Sequence, residues 1–312
     1  MRRGARLAPL AVLAAALTML VVGIAEAKPR LARTFKLTGQ PGQIAVGPKG
    51  AAWVVLSGSS AGNDIANITP RGAVNEYDLG VNPVGIALGP DGDIWVTHPA
   101  GVTEIDRTDP TDTTTHTIAA IGQPQEITKG PGGRLWTASG NELISFDPAN
   151  PAGFATQDLG LNTSARGIAA AKGKVWVADF NDGKILRVSP GGAIKRFDVG
   201  GGPQDVASGA KGRIAYTNQG TNPHTVGRIV GKRVLRKRVP DTDPFGIAFA
   251  AGNWWIANFA SHDLTILSPK GKIRKFRKLP NNSGPRYLAK GKGRTLWVGL
   301  ETRERFALIK GL

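Results

Sequence analysis

The chain contains no cysteine. That absence excludes disulfide stapling, thiol catalysis and a lipid-modified amino terminus, and it leaves core burial as the source of stability. Histidine is scarce, at 4 residues, and aromatic residues make up 6% of the 312-residue chain. No G-x-S-x-G, P-loop or H-E-x-x-H motif occurs, so the common nucleophilic, nucleotide-binding and zinc-protease chemistries have no signature. Outside the first 27 residues no long segment shows the 3.6-residue apolar periodicity of a helix.

Acidic residues are thin in one half only. Residues 28–166 carry 10 basic and 13 acidic side chains, whereas residues 167–312 carry 27 and 9, so the whole basic excess lies in the C-terminal half. Glycine and proline are abundant, at 42 and 21 residues, as suits a chain of short strands and turns. The amino terminus is of another kind. MRRGAR, a long apolar run and Ala25-Glu26-Ala27 have the order of a secretory leader with an A-x-A cleavage site, which predicts export and a single mature domain, 28–312. A retained N-terminal membrane anchor is the alternative, because the apolar run approaches the roughly 18 residues a span needs.

The mature region repeats itself. Seven copies align on the aliphatic anchors Ile44, Ile86, Ile127, Ile168, Val206, Ile247 and Leu288, spaced by 42, 41, 41, 38, 41 and 41 residues. An aromatic follows eight or nine residues later as Trp53, Trp95, Trp136, Trp176, Trp255 and Trp297, with Ala215 in the fifth copy. A proline precedes the anchor in six copies, and Ser164 reads as the exception. Each copy reads as four short strands; in the second, Gly85 to Leu88 and Asp93 to Thr97 flank the turn Pro90-Asp91-Gly92. A period near 41 with four strands per copy predicts an all-β, seven-bladed propeller, with blades starting near 42, 84, 125, 166, 204, 245 and 286. The last copy has only three strands, and Arg33 to Leu37 reads as the missing fourth, so the termini are expected to close the ring. The tryptophans read as packing between blades, and the fifth blade as the least well packed.

The pattern P-x-x-I, then GPDG-x-[IL]-W and a small polar tail, resembles the streptogramin B lyases (virginiamycin B lyase) and their non-enzymatic NHL-like relatives across residues 31–312. The resemblance implies ring opening of a cyclic depsipeptide by a histidine base and a magnesium ion held by two glutamates. At the matching positions this chain has Gly284 for one glutamate, Arg286 for the base, Glu301 for the second glutamate and Phe245 for a second histidine. An arginine stays protonated and cannot serve as the base. The expectation is a binding or interaction scaffold without that activity; the alternative is a lyase-like or other metal-dependent enzyme with an altered site at His98, Arg286 and Glu301.

The repeat also nominates the channel mouth. Three residues past the tryptophan position stand Leu56, His98, Ser139, Asp179, Asn218, Asn258 and Leu300; past the proline position stand Gly42, Val84, Gln125, Ala165, Gln204, Phe245 and Arg286. His98, Ser139, Asp179, Gln204, Asn218, Asn258 and Arg286 are therefore candidate ligand residues for a small molecule or peptide. Asp179, Asn218 and Asn258, with Glu301, are the candidate oxygen ligands should magnesium or calcium bind, although Asp and Asn equally suit turns at strand ends. His116, His224 and His262 fall on outer strands or loops and carry no assigned role. A third candidate is the basic wall formed by Lys232, Arg233, Arg236, Lys237 and Arg238 in blade five and Lys272, Arg274, Lys275, Arg277 and Lys278 in blade six. It suits an acidic polymer at the cell surface, or simply protects exposed sheet edges. A monomer with no nucleic-acid partner is expected.

Overall fold

Seven four-stranded antiparallel sheets stand as blades around a central channel in the computed structural model, which describes residues 28–240 and 242–312. The leader, residues 1–27, lies outside the described residues. Within blades one to six the strands follow in chain order from the channel outward, so each of these repeats folds on itself through short hairpins. The innermost strands are Gln40–Val46, Gly85–Leu88, Pro124–Lys129, Ala165–Ala171, Pro203–Ser208, Pro244–Ala250 and Pro285–Lys290.

The ring closes as the three-stranded last repeat requires. Arg30–Lys36 adds to Arg305–Lys310 as the outer strand of blade seven, with Phe35 opposite Phe306 and Thr34 opposite Ala307. The strand begins three residues earlier than the sequence suggested, and Leu37 N–H extends the pairing to Glu304 O at 2.8 Å. Phe35 lies 5.7 Å from Trp297, and Trp297 Nε1 donates across the seam to Gly50 O at 3.2 Å. Two ends distant in sequence are thus joined by strand pairing and by core packing.

Apolar clusters fill the spaces between neighbouring sheets, one per interface. Trp53 packs on Ile86 and Ile94 of the next blade, Trp95 on Ile127 and Leu135, and Trp136 on Ile168 and Val175. The turn glycines beside Trp95 and Trp136 leave no room for a side chain: a Cβ on Gly130 would fall 2.4 Å from Trp136 Cδ1.

Blade five departs from the expectation of poor packing. Ala215 does hold the tryptophan position, opposite Ala207, but the missing volume is supplied from the other side of the interface. Trp254 of blade six, at a position filled by Ile94, Leu135 or Val175 elsewhere, packs against Ala215 and is fully buried. It also takes the place beside Gly209 that a blade's own tryptophan occupies in other copies, since a Cβ there would fall 2.7 Å from Trp254 Cζ2. The interface holds its indole by exchanging large and small residues between facing sheets.

Candidate functional site

The channel wall is built from the residue just before each anchor, which reads Gln43, Gly85, Glu126, Gly167, Asp205, Gly246 and Tyr287 around the ring. Polar side chains and glycines alternate over the first six blades, and the hydrogen bonds explain why. Gln43 Oε1 accepts from Ile86 N at 2.7 Å, Glu126 Oε2 from Ile168 N at 3.3 Å, and Asp205 Oδ2 from Ile247 N at 2.8 Å. Each side chain reaches the backbone of the next blade, and glycine there leaves space for it: a Cβ on Gly85 would fall 3.0 Å from Gln43 Oε1. The inner strands, whose channel edges have no further strand to pair with, are tied together in this way.

Between them lies a cavity of about 350 Å³ bordered by Gln43, Glu126, Asp205 and Tyr287. The Glu126 and Asp205 carboxyls interact directly there. Glu126 faces the water-sized space of the channel, yet protein surrounds it far from bulk solvent. Burial, and then the neighbouring Asp205, push the Glu126 carboxyl well up; burial pushes Asp205 up to about 7, against the backbone N–H groups that favour its charge. The two carboxyls therefore titrate as an interacting pair. Burial also raises the Tyr287 phenol, so it stays protonated.

At the mouth above, the register corrects one assignment. Ala165 pairs with Asp179 as Pro203 pairs with Asn218 and Pro244 with Asn258, so Ala165, not Ser164, holds the proline position and Arg166 follows it. The last four blades therefore present Arg166, Gln204, Phe245 and Arg286 in succession. Arg166 donates to Gln204 Oε1 at 2.9 Å, and its Cζ stands 3.8 Å from the centre of the Phe180 ring. Arg286 lies 4.1 Å over Phe245 and contacts both oxygens of Glu301 through one nitrogen, at 2.7 Å each. Burial opposes the charge on Arg286, but Glu301, Tyr287 and Asp243 together outweigh it and its pKa is raised.

The ring that begins with Leu56 and His98 lies beneath the loops, every member buried. Its polar groups serve their own blades. Ser139 Oγ accepts from Gln123 N at 3.0 Å, Asp179 from Ser164 N at 3.1 Å, and Asn218 Nδ2 donates to Val199 O at 3.2 Å, so each fixes the loop entering its inner strand. Asn258 donates to Asp263 at 2.5 Å. His98 Nε2 is 3.3 Å from Thr103 Oγ1, and burial lowers its pKa. Of His98, Asp179, Arg286 and Glu301, only the last two touch.

Asp179 and Glu301 do not fit magnesium or calcium. The Asp179 oxygens are engaged by local donors, both Glu301 oxygens face a guanidinium, and among the described residues no group of three His, Cys, Asp or Glu could hold a metal ion. On the outside, Lys232, Arg233, Arg236, Lys237, Arg238, Lys272, Arg274, Arg277 and Lys278 are exposed. Lys275 is half-buried and pairs with Asp263 at 3.1 Å.

No protein-family model matches the chain. The virginiamycin B lyase of Nocardia farcinica is 25% identical over 210 residues, covering 63% of this chain and 70% of that protein. A solved structure of a catalytically inactive virginiamycin B lyase from Staphylococcus aureus with quinupristin superposes with a TM-score of 0.80 at 19% identity, over 91% of this chain and 99% of that one. The chain is similar in sequence to a virginiamycin B lyase and shares the seven-bladed propeller fold of that protein's solved relatives. A shared propeller fold leaves the chemistry to the site carried on it. The extracellular domain of a one-component system from B. thetaiotaomicron also matches, with a TM-score of 0.66 at 14% identity, over 86% of this chain and 40% of that one. No helix among the described residues is long and apolar enough to cross a membrane.

Proposed function

We propose that the chain is an exported, non-catalytic propeller that binds its ligand at the channel mouth, on the arc Arg166, Gln204, Phe245 and Arg286. The observation that carries this reading is the contact of Arg286 with both oxygens of Glu301. A guanidinium at this point accepts no proton, and it engages the carboxylate that would otherwise be open to a metal. The aromatic faces of Phe180 and Phe245 fix the two arginines in place, which suits recognition more than proton transfer. Export rests on the leader and on the kinship in fold with an extracellular sensor domain. The exposed cations of blades five and six offer a second surface to an acidic polymer.

The sequence match to a lyase favours one rival, a carbon–oxygen lyase with an altered site. Its acid or base would be His98, which is buried and engaged with Thr103.

A thermal-shift screen of small molecules against the full chain, run with EDTA, tests the reading. Ligands that stabilise the chain should lose that effect in Phe245→Ala and keep it when divalent metal is removed. A screen whose hits all require added magnesium or calcium would contradict it.

A further inference from the structure

The mouth holds an electrostatic imbalance that the fold itself does not require. Arg166 and Arg286 occupy equivalent positions in blades four and seven, both half-buried and both stacked on phenylalanine. Arg286 has Glu301, but Arg166 has only the neutral amide oxygen of Gln204 and forms no ion pair among the described residues. Burial, and then the charge of Arg286, disfavour the charge on Arg166. Arg286 Nε is also buried and has no hydrogen-bond partner. Holding the Arg166 guanidinium half out of water with no anionic partner costs free energy, and an anion bound at the arc would recover it.

We infer that this arc binds a small oxyanion group, a carboxylate or a phosphoryl group, gripped by the Arg166 and Arg286 guanidiniums. The inference rests on the mouth being the binding site. Guanidinium forks match the paired oxygens of either group, and the phenylalanine stacks set their planes before the ligand arrives, so little side-chain freedom is lost on binding. Below the arc the Glu126 and Asp205 pair repels an anion, which holds the charged group at the mouth and keeps it out of the channel. No metal is needed, since both positive charges belong to the chain.

Calorimetric titration of the full chain with inorganic phosphate and, separately, with acetate tests this, at fixed ionic strength in EDTA. Saturable binding of at least one probe is expected, and the one that binds identifies the group. Arg166→Gln should weaken binding about ten- to a hundredfold, the loss of a charge-assisted hydrogen bond or two, while Lys49→Gln in a turn of blade one leaves it unchanged. In the unaltered protein the Arg286 Nε–H resonance should shift along the same titration, a readout that does not depend on the variant folding. Failure of both probes to bind at tens of millimolar overturns the inference, as does Arg166→Gln binding like the parent. A neutral ligand lost in Phe245→Ala, with neither anion bound, would remove the oxyanion and leave mouth binding standing.

Discussion

Trp254 shows how one residue can carry an interface that its neighbour has abandoned. The five–six interface keeps its indole although Ala215 stands where a tryptophan is the rule. Trp254→Ala should cost roughly 3 to 5 kcal/mol, read from denaturant unfolding. Ala215→Trp alone should also destabilise, by overpacking. The double change Ala215→Trp with Trp254→Ile restores the arrangement of the other blades, so the two effects should be strongly non-additive. Additive losses would show that the two positions do not share the space. The channel acids give a second test at this scale. Both carboxyls have raised pKa values in the fold, so the native state binds more protons than the unfolded chain. The Asp205 contribution is fully present below about pH 4 and is lost as pH rises through about 7, and Glu126 acts in the same direction. Glu126→Gln keeps a hydrogen-bond donor toward Asp205 but removes one ionisation. Its melting temperature should therefore fall less between pH 5 and pH 8, by roughly the equivalent of a few kcal/mol. An identical slope in parent and variant would refute the raised Glu126 carboxyl.

At the scale of strands and blades, the closing strand is the decisive element. Arg30–Lys36 brings the buried Phe35, leads into the buried Leu37 and pairs along its length with Arg305–Lys310. Removing residues 28–37 should lower the melting temperature by roughly 10 °C or more, because two apolar side chains and a ladder of backbone bonds are lost. An unchanged melting temperature would contradict ring closure. The blades could be read in the sequence because strand, turn and anchor recur with a fixed period, and closure could be read from the missing strand of the last copy. The channel wall was also present, one residue before each anchor. Its meaning was not, because the alternation of Gln43, Glu126 and Asp205 with glycine makes sense only when successive blades face each other. Arg166 escaped for a simpler reason: the fourth copy lacks the proline, and counting from Ser164 displaced the mouth by one residue. His98, Asp179, Asn218 and Asn258 were rightly placed at strand ends, but the pattern does not reveal whether such a side chain faces the channel or caps the loop beneath.

For the whole molecule, a propeller shared with lyases leaves the chemistry to a few positions, and here those positions hold an arginine and its carboxylate partner. The charge asymmetry adds a further expectation. If the exposed cations of blades five and six engage an acidic polysaccharide, its affinity should fall steeply between about 50 and 200 mM salt, and a flat response would remove the electrostatic reading. The central claim is that the mouth binds without doing chemistry. Mass spectrometry of a streptogramin B incubated with the full chain and magnesium tests it most directly: the account predicts that the ring stays closed, and accumulation of the linear elimination product would contradict it.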